Sequence, residues 1–153
     1  MNRLELPRAA EDAVHAAARE GYPFEICGAL VGHLAGTSAQ VTRVVPFPNT
    51  AEETQRRRRF VIEPVAIVHL ERDLRKTGES LLGFYHSHPD HPAQPSATDL
   101  EYFRLWPQTV WLIVPVAKGE PGAGRAWVLE GADATTAVEI ETDGEEGRGK
   151  REE

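Results

Sequence analysis

From Pro7 to Glu20 the apolar positions return at helical spacing, with Ala10, Val14, Ala17 and Ala18 on one side and charged residues on the other. Pro7 in the first turn and Gly21 after the last residue frame that stretch, so the pattern predicts a helix with those four residues inward. The pattern then changes. Two short β-rich runs, CGALVGHLAG and AQVTRVVPF, meet at Gly36, Thr37 and Ser38 and predict an antiparallel pair. PNTAEETQRRRR, residues 48–59, is polar throughout and predicts a surface loop. A second helix is expected over 63–78, with Pro64 in its first turn, Ile67, Leu70 and Leu74 on its inner face, cations in its last turn and Gly78 as its stop. SLLGFYHSH and TVWLIVPVA read as buried strands, separated by a short helix in PSATDLEYFRLW that ends before Pro107. RAWVLEG and TTAVEIE predict two further strands. No segment repeats. From Asp143 onward no apolar residue remains, so the expected division is one domain over 1–142 and a disordered charged tail over 143–153.

Composition adds limits to that outline. A chain of 153 residues, 41% hydrophobic and 27% charged, is enough for one core that folds without staples. Cys27 is the single cysteine, which excludes an internal disulfide framework and fits a reducing cytoplasm. The opening MNRLELPRAAED has no signal-peptide core, and the longest apolar run, VWLIVPVA, is far too short to span a bilayer. A formal charge of −7 argues against a nucleic-acid surface, with Arg56 to Arg59 as a local exception. That run is either a solvated loop or a site of attraction for an acidic partner.

The chemistry concentrates in GFYHSHPDHPAQPSATDL, residues 83–100, which holds three of the six histidines. In an extended FYHSHP, side chains alternate, so His86 and His88 share a face and converge while Ser87 points away and hydrogen-bonds locally. Asp99 follows eleven residues after His88, in the first turn of a helix, where it can turn back as a third ligand. Two imidazoles and a carboxylate suit zinc, and three protein ligands leave a fourth position open, as catalytic sites do. Plainer readings exist for each part. Ser96 and Asp99 have the spacing of an N-cap and its capping-box partner, and a His-x-His pair alone fits a partly exposed strand face. His91 is expected to face solvent, and His15, His33 and His69 have no partner pattern. Glu25, the one acid in YPFEICGALVG, reads equally well as a solvent-facing edge residue or a functional one.

HSHPDHPAQPSATD matches without gap or substitution the motif His-Ser/Thr-His, seven residues, Ser, two residues, Asp, and so resembles the JAMM (MPN+) metalloproteases. The resemblance runs from about Leu4 to Glu141 and is closest to compact bacterial members. It implies an α/β (α+β) fold, a mixed sheet flanked by helices similar to the cytidine-deaminase architecture. It implies zinc on His86, His88 and Asp99, Glu25 as general base and proton donor, and Ser96 as hydrogen-bond donor to the oxyanion. It further implies a zinc-dependent peptidase or isopeptidase that cuts after the Gly-Gly C-terminus of a ubiquitin-like sulfur-carrier protein. Other chemistries fit less well. A Cys27–His pair would need a nucleophile in what reads as a buried apolar strand, and a zinc deaminase would need a His-x-Glu and a Pro-Cys-x-x-Cys pair, whereas the chain has one cysteine. The alternative from another class is a zinc-containing module that binds a ubiquitin-like protein without cutting it.

Overall fold

The computed structural model describes residues 1–131 and 134–142, so the expected tail from Asp143 lies outside the described residues. Each expected helix and strand is present. In chain order the elements are β1 (Arg3–Glu5), α1 (Arg8–Gly21), β2 (Cys27–Ala35), β3 (Ser38–Phe47), α2 (Pro64–Thr77), β4 (Ser80–Pro89), α3 (Ala97–Leu105), β5 (Val110–Ala117), β6 (Glu120–Pro121), β7 (Arg125–Glu130) and β8 (Ala134–Glu141). β1 and β6 were not expected, because three and two residues are too short to carry a period. Gly78 ends α2 in the left-handed conformation at φ 76, as its position predicts. Gly21 acts differently. It is the last residue of α1, and a Cβ there would overlap the Ile26 side chain, so its role is close approach rather than a left-handed stop.

The strands form one mixed sheet in the order β4-β2-β3-β1-β8-β7-β5, which a parallel pairing of β4 with β5 closes into a ring, while β6 extends β5 at its end. A Cβ at Gly83 would overlap the Val110 carbonyl oxygen, so glycine is what lets β4 and β5 approach. β2 lies on the other side of β4, antiparallel, with Cys27 opposite His86. β4 is therefore paired on both edges, which is why its run from Leu82 to Pro89 is buried throughout.

Every strand of the ring contributes to one core cluster, which Val14 and Ala18 of α1 cover. The opposite face of β2, β4 and β5 builds a second cluster with Ile67, Leu70 and Leu74 of α2 and Phe103 of α3. Phe60 joins this second cluster from the end of the 48–59 loop, stacked on Tyr102 at a centroid distance of 4.7 Å. The second cluster is the one that carries the site. No helix among the described residues is long and apolar enough to cross a membrane.

Candidate metal centre

His86 and His88 lie two apart on β4, on the same face as Phe84, and both are buried. Phe60 lies against the His86 ring at 4.6 Å and Trp111 at 6.3 Å, an aromatic shelf that holds the imidazole in one orientation. Ser87 points to the other face, as alternation requires, but its partner is not local. Its Oγ accepts from the Ile26 amide at 2.9 Å, and its own amide donates to the Ile26 carbonyl at 3.0 Å. The expectation of a local bond is corrected by strand pairing: the start of β2 runs beside the end of β4, 61 residues later in the chain. That clasp brings Glu25, the residue before Ile26, to the same end of the sheet.

Asp99 arrives from α3. Ser96 caps the helix, its Oγ accepting from the Asp99 amide at 3.0 Å while its own amide donates to Asp99 Oδ2 at 2.9 Å. This reciprocal capping box is worth about 1 kcal/mol to the helix, and it also fixes the carboxylate. The capping reading and the ligand-set reading of these two residues are therefore compatible. His86 Nε2 lies 3.1 Å from Asp99 Oδ1, His88 Nε2 lies 3.0 Å from Asp99 Oδ2, and the two Nε2 atoms are 3.2 Å apart. The three side chains thus close a triangle in which Asp99 presents a different carboxylate oxygen to each imidazole. Tetrahedral zinc with bonds of about 2.0–2.1 Å separates its ligands by roughly 3.3–3.4 Å, close to the 3.2 Å between the two Nε2 atoms, and one donor atom from each of the three residues lies within 4.8 Å of the others, so the set suits one such ion.

The tautomer of His88 follows from its other nitrogen. Nδ1 sits 2.7 Å from the Pro92 carbonyl, which can only accept, so Nδ1 carries the proton and the Nε2 lone pair faces the triangle. The loop that supplies Pro92 is itself held, since Trp127 Nε1 donates to the Ala93 carbonyl at 3.0 Å. Burial opposes charge on both His88 and Asp99, but the contacts between them outweigh it. His88 is held above its ordinary value, and Asp99, close to His86, His88 and the Ser96 amide, is held well below the usual carboxylate range.

Glu25 is 4% exposed, so the solvent-facing alternative is overturned: the 48–61 segment folds over it. Its amide donates to the Arg56 carbonyl at 2.7 Å, and its carbonyl accepts from Asn49 Nδ2 at 2.9 Å. Its Oε1 is buried without a partner, and burial pushes its carboxyl up to about 8. A cavity of about 280 Å³ is lined by Glu25, His88, Ser96, Thr98, His91 and Arg58. Ser96 and His91 are exposed there, His91 as expected.

The arginine run is not uniform. Arg56 and Arg59 are half-buried, Arg56 Nε donating to the Ala51 carbonyl at 2.8 Å, whereas Arg57 and Arg58 are exposed. Cys27 is buried, its thiol pushed up to about 12 chiefly by burial, which is the state of a core residue rather than a nucleophile. His33 and His69 are exposed, and His15 lines a separate cavity of about 200 Å³ beneath α1. Asn49 was missed from the sequence, where PNT reads only as turn chemistry.

A family model described as prokaryotic homologs of the JAB domain matches residues 7–130. A desampylase of Haloferax volcanii is 37% identical over 116 residues, covering 73% of this chain and 80% of that protein. A probable TtuB-protein conjugate cleaving protease of Thermus thermophilus is 35% identical over 109 residues, covering 71% of this chain and 67% of the relative. Among solved structures, a protein of Desulfitobacterium hafniense superposes with a TM-score of 0.79 at 30% identity, over 91% of this chain and 92% of its own.

Proposed function

The chain belongs to the prokaryotic homologs of the JAB domain, as a compact JAMM/MPN member, and from that premise we propose that it is a zinc-dependent isopeptidase or peptidase. Its substrate is a ubiquitin-like sulfur-carrier protein, cut at the amide bond that follows the carrier's Gly-Gly C-terminus. The names of the relatives, a desampylase and a conjugate-cleaving protease, support a protein conjugate as the substrate. The single observation that carries the reading is a triangle of three donor residues beside a buried, unpartnered carboxyl, His88 of the triangle and Glu25 lining one cavity.

His86, His88 and Asp99 would hold zinc, which when bound supplies a Lewis acid able to lower the pKa of water toward about 7. The remaining work falls to the chain. Glu25 accepts the proton released as water adds to the carbonyl carbon, and delivers it to the leaving nitrogen as the C–N bond breaks. Its surroundings suit both halves of that task, since a carboxyl near 8 holds and releases a proton around neutral pH. The Ser96 hydroxyl uses a lone pair on the Asp99 amide, so its own hydrogen remains free to donate to the developing oxyanion. A module that only bound its partner would leave the buried Glu25 carboxyl without a purpose.

Metal analysis joined to cleavage of a sulfur carrier extended beyond its Gly-Gly tests the reading. Stoichiometric zinc and release of the extension, both abolished by a chelator, are expected. Zinc and a stable complex without cleavage would instead establish the binding module.

A further inference from the structure

The cavity that holds Glu25, His88 and Ser96 does not end at the triangle. A second cavity of about 410 Å³ shares Arg58 and Thr98 with it and adds Arg57, Arg59, Thr54 and Gln55. The two together make a trough that leads away from the candidate metal centre along a wall of cations. Arg56 is tied to the Ala51 carbonyl and Arg59 is half-buried, but Arg57 and Arg58 stand exposed, and among the described residues neither side chain has a hydrogen bond or ion pair. Asp90, whose carboxylate the Arg57 charge reaches, is already engaged by the Tyr22 hydroxyl at 2.7 Å and the Lys118 amide at 2.9 Å. Two unpaired guanidinium groups at the mouth of a cleft, on a chain of net charge −7, favour an anionic ligand there and nowhere broadly.

We infer that Arg57 and Arg58 form a subsite for acidic side chains of the bound protein lying within a few residues of the scissile bond. The inference rests on the peptidase reading for which bond that is, but its test does not. Two fluorescein-labelled peptides, Asp-Glu-Asp-Ala-Gly-Gly and its neutral counterpart Asn-Gln-Asn-Ala-Gly-Gly, would be titrated with the wild-type protein. The acidic peptide should bind about tenfold tighter at low salt, with the advantage fading as salt rises, and Arg57→Ser/Arg58→Ser should abolish it. Arg75→Ser/Lys76→Ser, which removes the same charge at the far end of α2, should keep it. Equal or undetectable binding of both peptides, or an advantage that survives the Arg57/Arg58 change, overturns the subsite. Cleavage of an extended carrier, measured in parallel, separates the two ideas. Cleavage with an unaltered KM in the double variant removes the subsite alone, whereas an arginine-dependent preference without any cleavage removes the peptidase reading alone.

Different contacts carry a second inference. Every polar capacity of the Asn49 side chain is used on backbone: Nδ2 donates to the carbonyls of Glu25 at 2.9 Å and Arg59 at 3.1 Å, and Oδ1 accepts from the amides of Ala51 at 3.0 Å and Val61 at 3.1 Å. The Oδ1 bonds, with Thr50 and Val61 also joined, close residues 49–61 into a compact loop. One Nδ2 bond, to Arg59, stays within the loop, and the other holds the loop against Glu25, which precedes β2 and has no strand partner of its own. We propose that Asn49 is the positioning residue for Glu25. Asn49→Asp separates the two halves of its role, because it keeps the acceptor and loses both donors. Zinc content, KM and protection of the Ala51 and Val61 amides should stay near wild type, while exchange of the Glu25 amide accelerates and kcat falls about tenfold or more. Asn49→Ala should lose both halves, and if it fails to fold the Asp variant carries the test. A folded Asn49→Asp protein with kcat within about twofold of wild type and unchanged Glu25 exchange overturns the proposal. Should wild type cleave nothing, the peptidase reading fails, and the exchange of the Glu25 amide alone decides the role of Asn49.

Discussion

Asp99 and Glu25 are two buried carboxyls at one cleft, and the fold treats them in opposite ways. Asp99 is surrounded by groups that favour its anion: two imidazoles within 3.1 Å and the Ser96 amide at 2.9 Å. Glu25 has an oxygen with no partner, and desolvation is the largest influence on it. The first carboxyl is thus held ionised, as a ligand must be, and the second is held near the pH at which a proton can be carried. Two acids whose surroundings drive them apart are the mark of divided roles. The supports differ as well. Asp99 is fixed from within its own helix turn, whereas Glu25 is fixed by a loop that begins 24 residues later.

The sharpest way to break this comparison is to exchange the consequences of losing each acid. Asp99→Ala and His88→Ala should lose zinc, because two donors hold it poorly, and activity should fall to background. Both proteins should remain folded, since the core does not depend on the metal. Metal analysis of the purified variants checks this, and stoichiometric zinc in both would remove them as ligands. Glu25→Gln should do the opposite, keeping zinc and fold while kcat drops by roughly 10²-fold or more. Unchanged turnover in that variant would leave the unpartnered carboxyl without a catalytic role.

The difference in support also explains what could be read from the chain. His86, His88, Ser96 and Asp99 lie within fourteen residues, and their convergence follows from strand alternation and one helix cap, both of which are local rules. Helices α1 and α2 and the β2–β3 hairpin were legible for the same reason. Glu25 remained open between edge and site because its burial depends on residues 49–61 folding over it, which no period records. Asn49 was invisible as more than a turn residue, and Ser87 was given a local partner when strand pairing supplied a distant one. β1 escaped because its pairing with β3 and β8 comes from distant parts of the chain.

Ser96 stands between the two acids and sharpens the comparison, since it serves Asp99 through its cap and the reaction through its hydroxyl. Ser96→Ala should reduce kcat by about 10²-fold while costing about 1 kcal/mol of stability from the lost cap. Ser96→Thr keeps both oxygen functions and should recover most of each. Thermal melting and kinetics on the same samples check the split. A loss of stability without a loss of rate would reduce Ser96 to a helix cap.

The smallest expected effect tests the environments of the two acids without any substrate. In metal-free protein, Glu25 in the folded state keeps its proton up to about 8, while the unfolded chain releases it near 4.5. The folded state therefore binds more protons between those values, and stability falls as pH rises through that window. His88, raised from 6.5, adds a slope of the same sign, but only above about 6.5, where the unfolded imidazole begins to lose its proton. Asp99, lowered, contributes stability that is lost only as pH falls below about 3.8. Between pH 5 and 6 Glu25 acts alone among the three, with a slope of at most about 1.4 kcal/mol per pH unit. Melting of chelator-treated wild type should fall by roughly 2–4 °C across that interval relative to Glu25→Gln. Added zinc should shrink the difference, because a divalent charge nearby favours the ionised carboxyl. Parallel pH profiles for the two metal-free proteins would mean that Glu25 is ionised in the folded state like Asp99, and the contrast between the two acids would fail at its source.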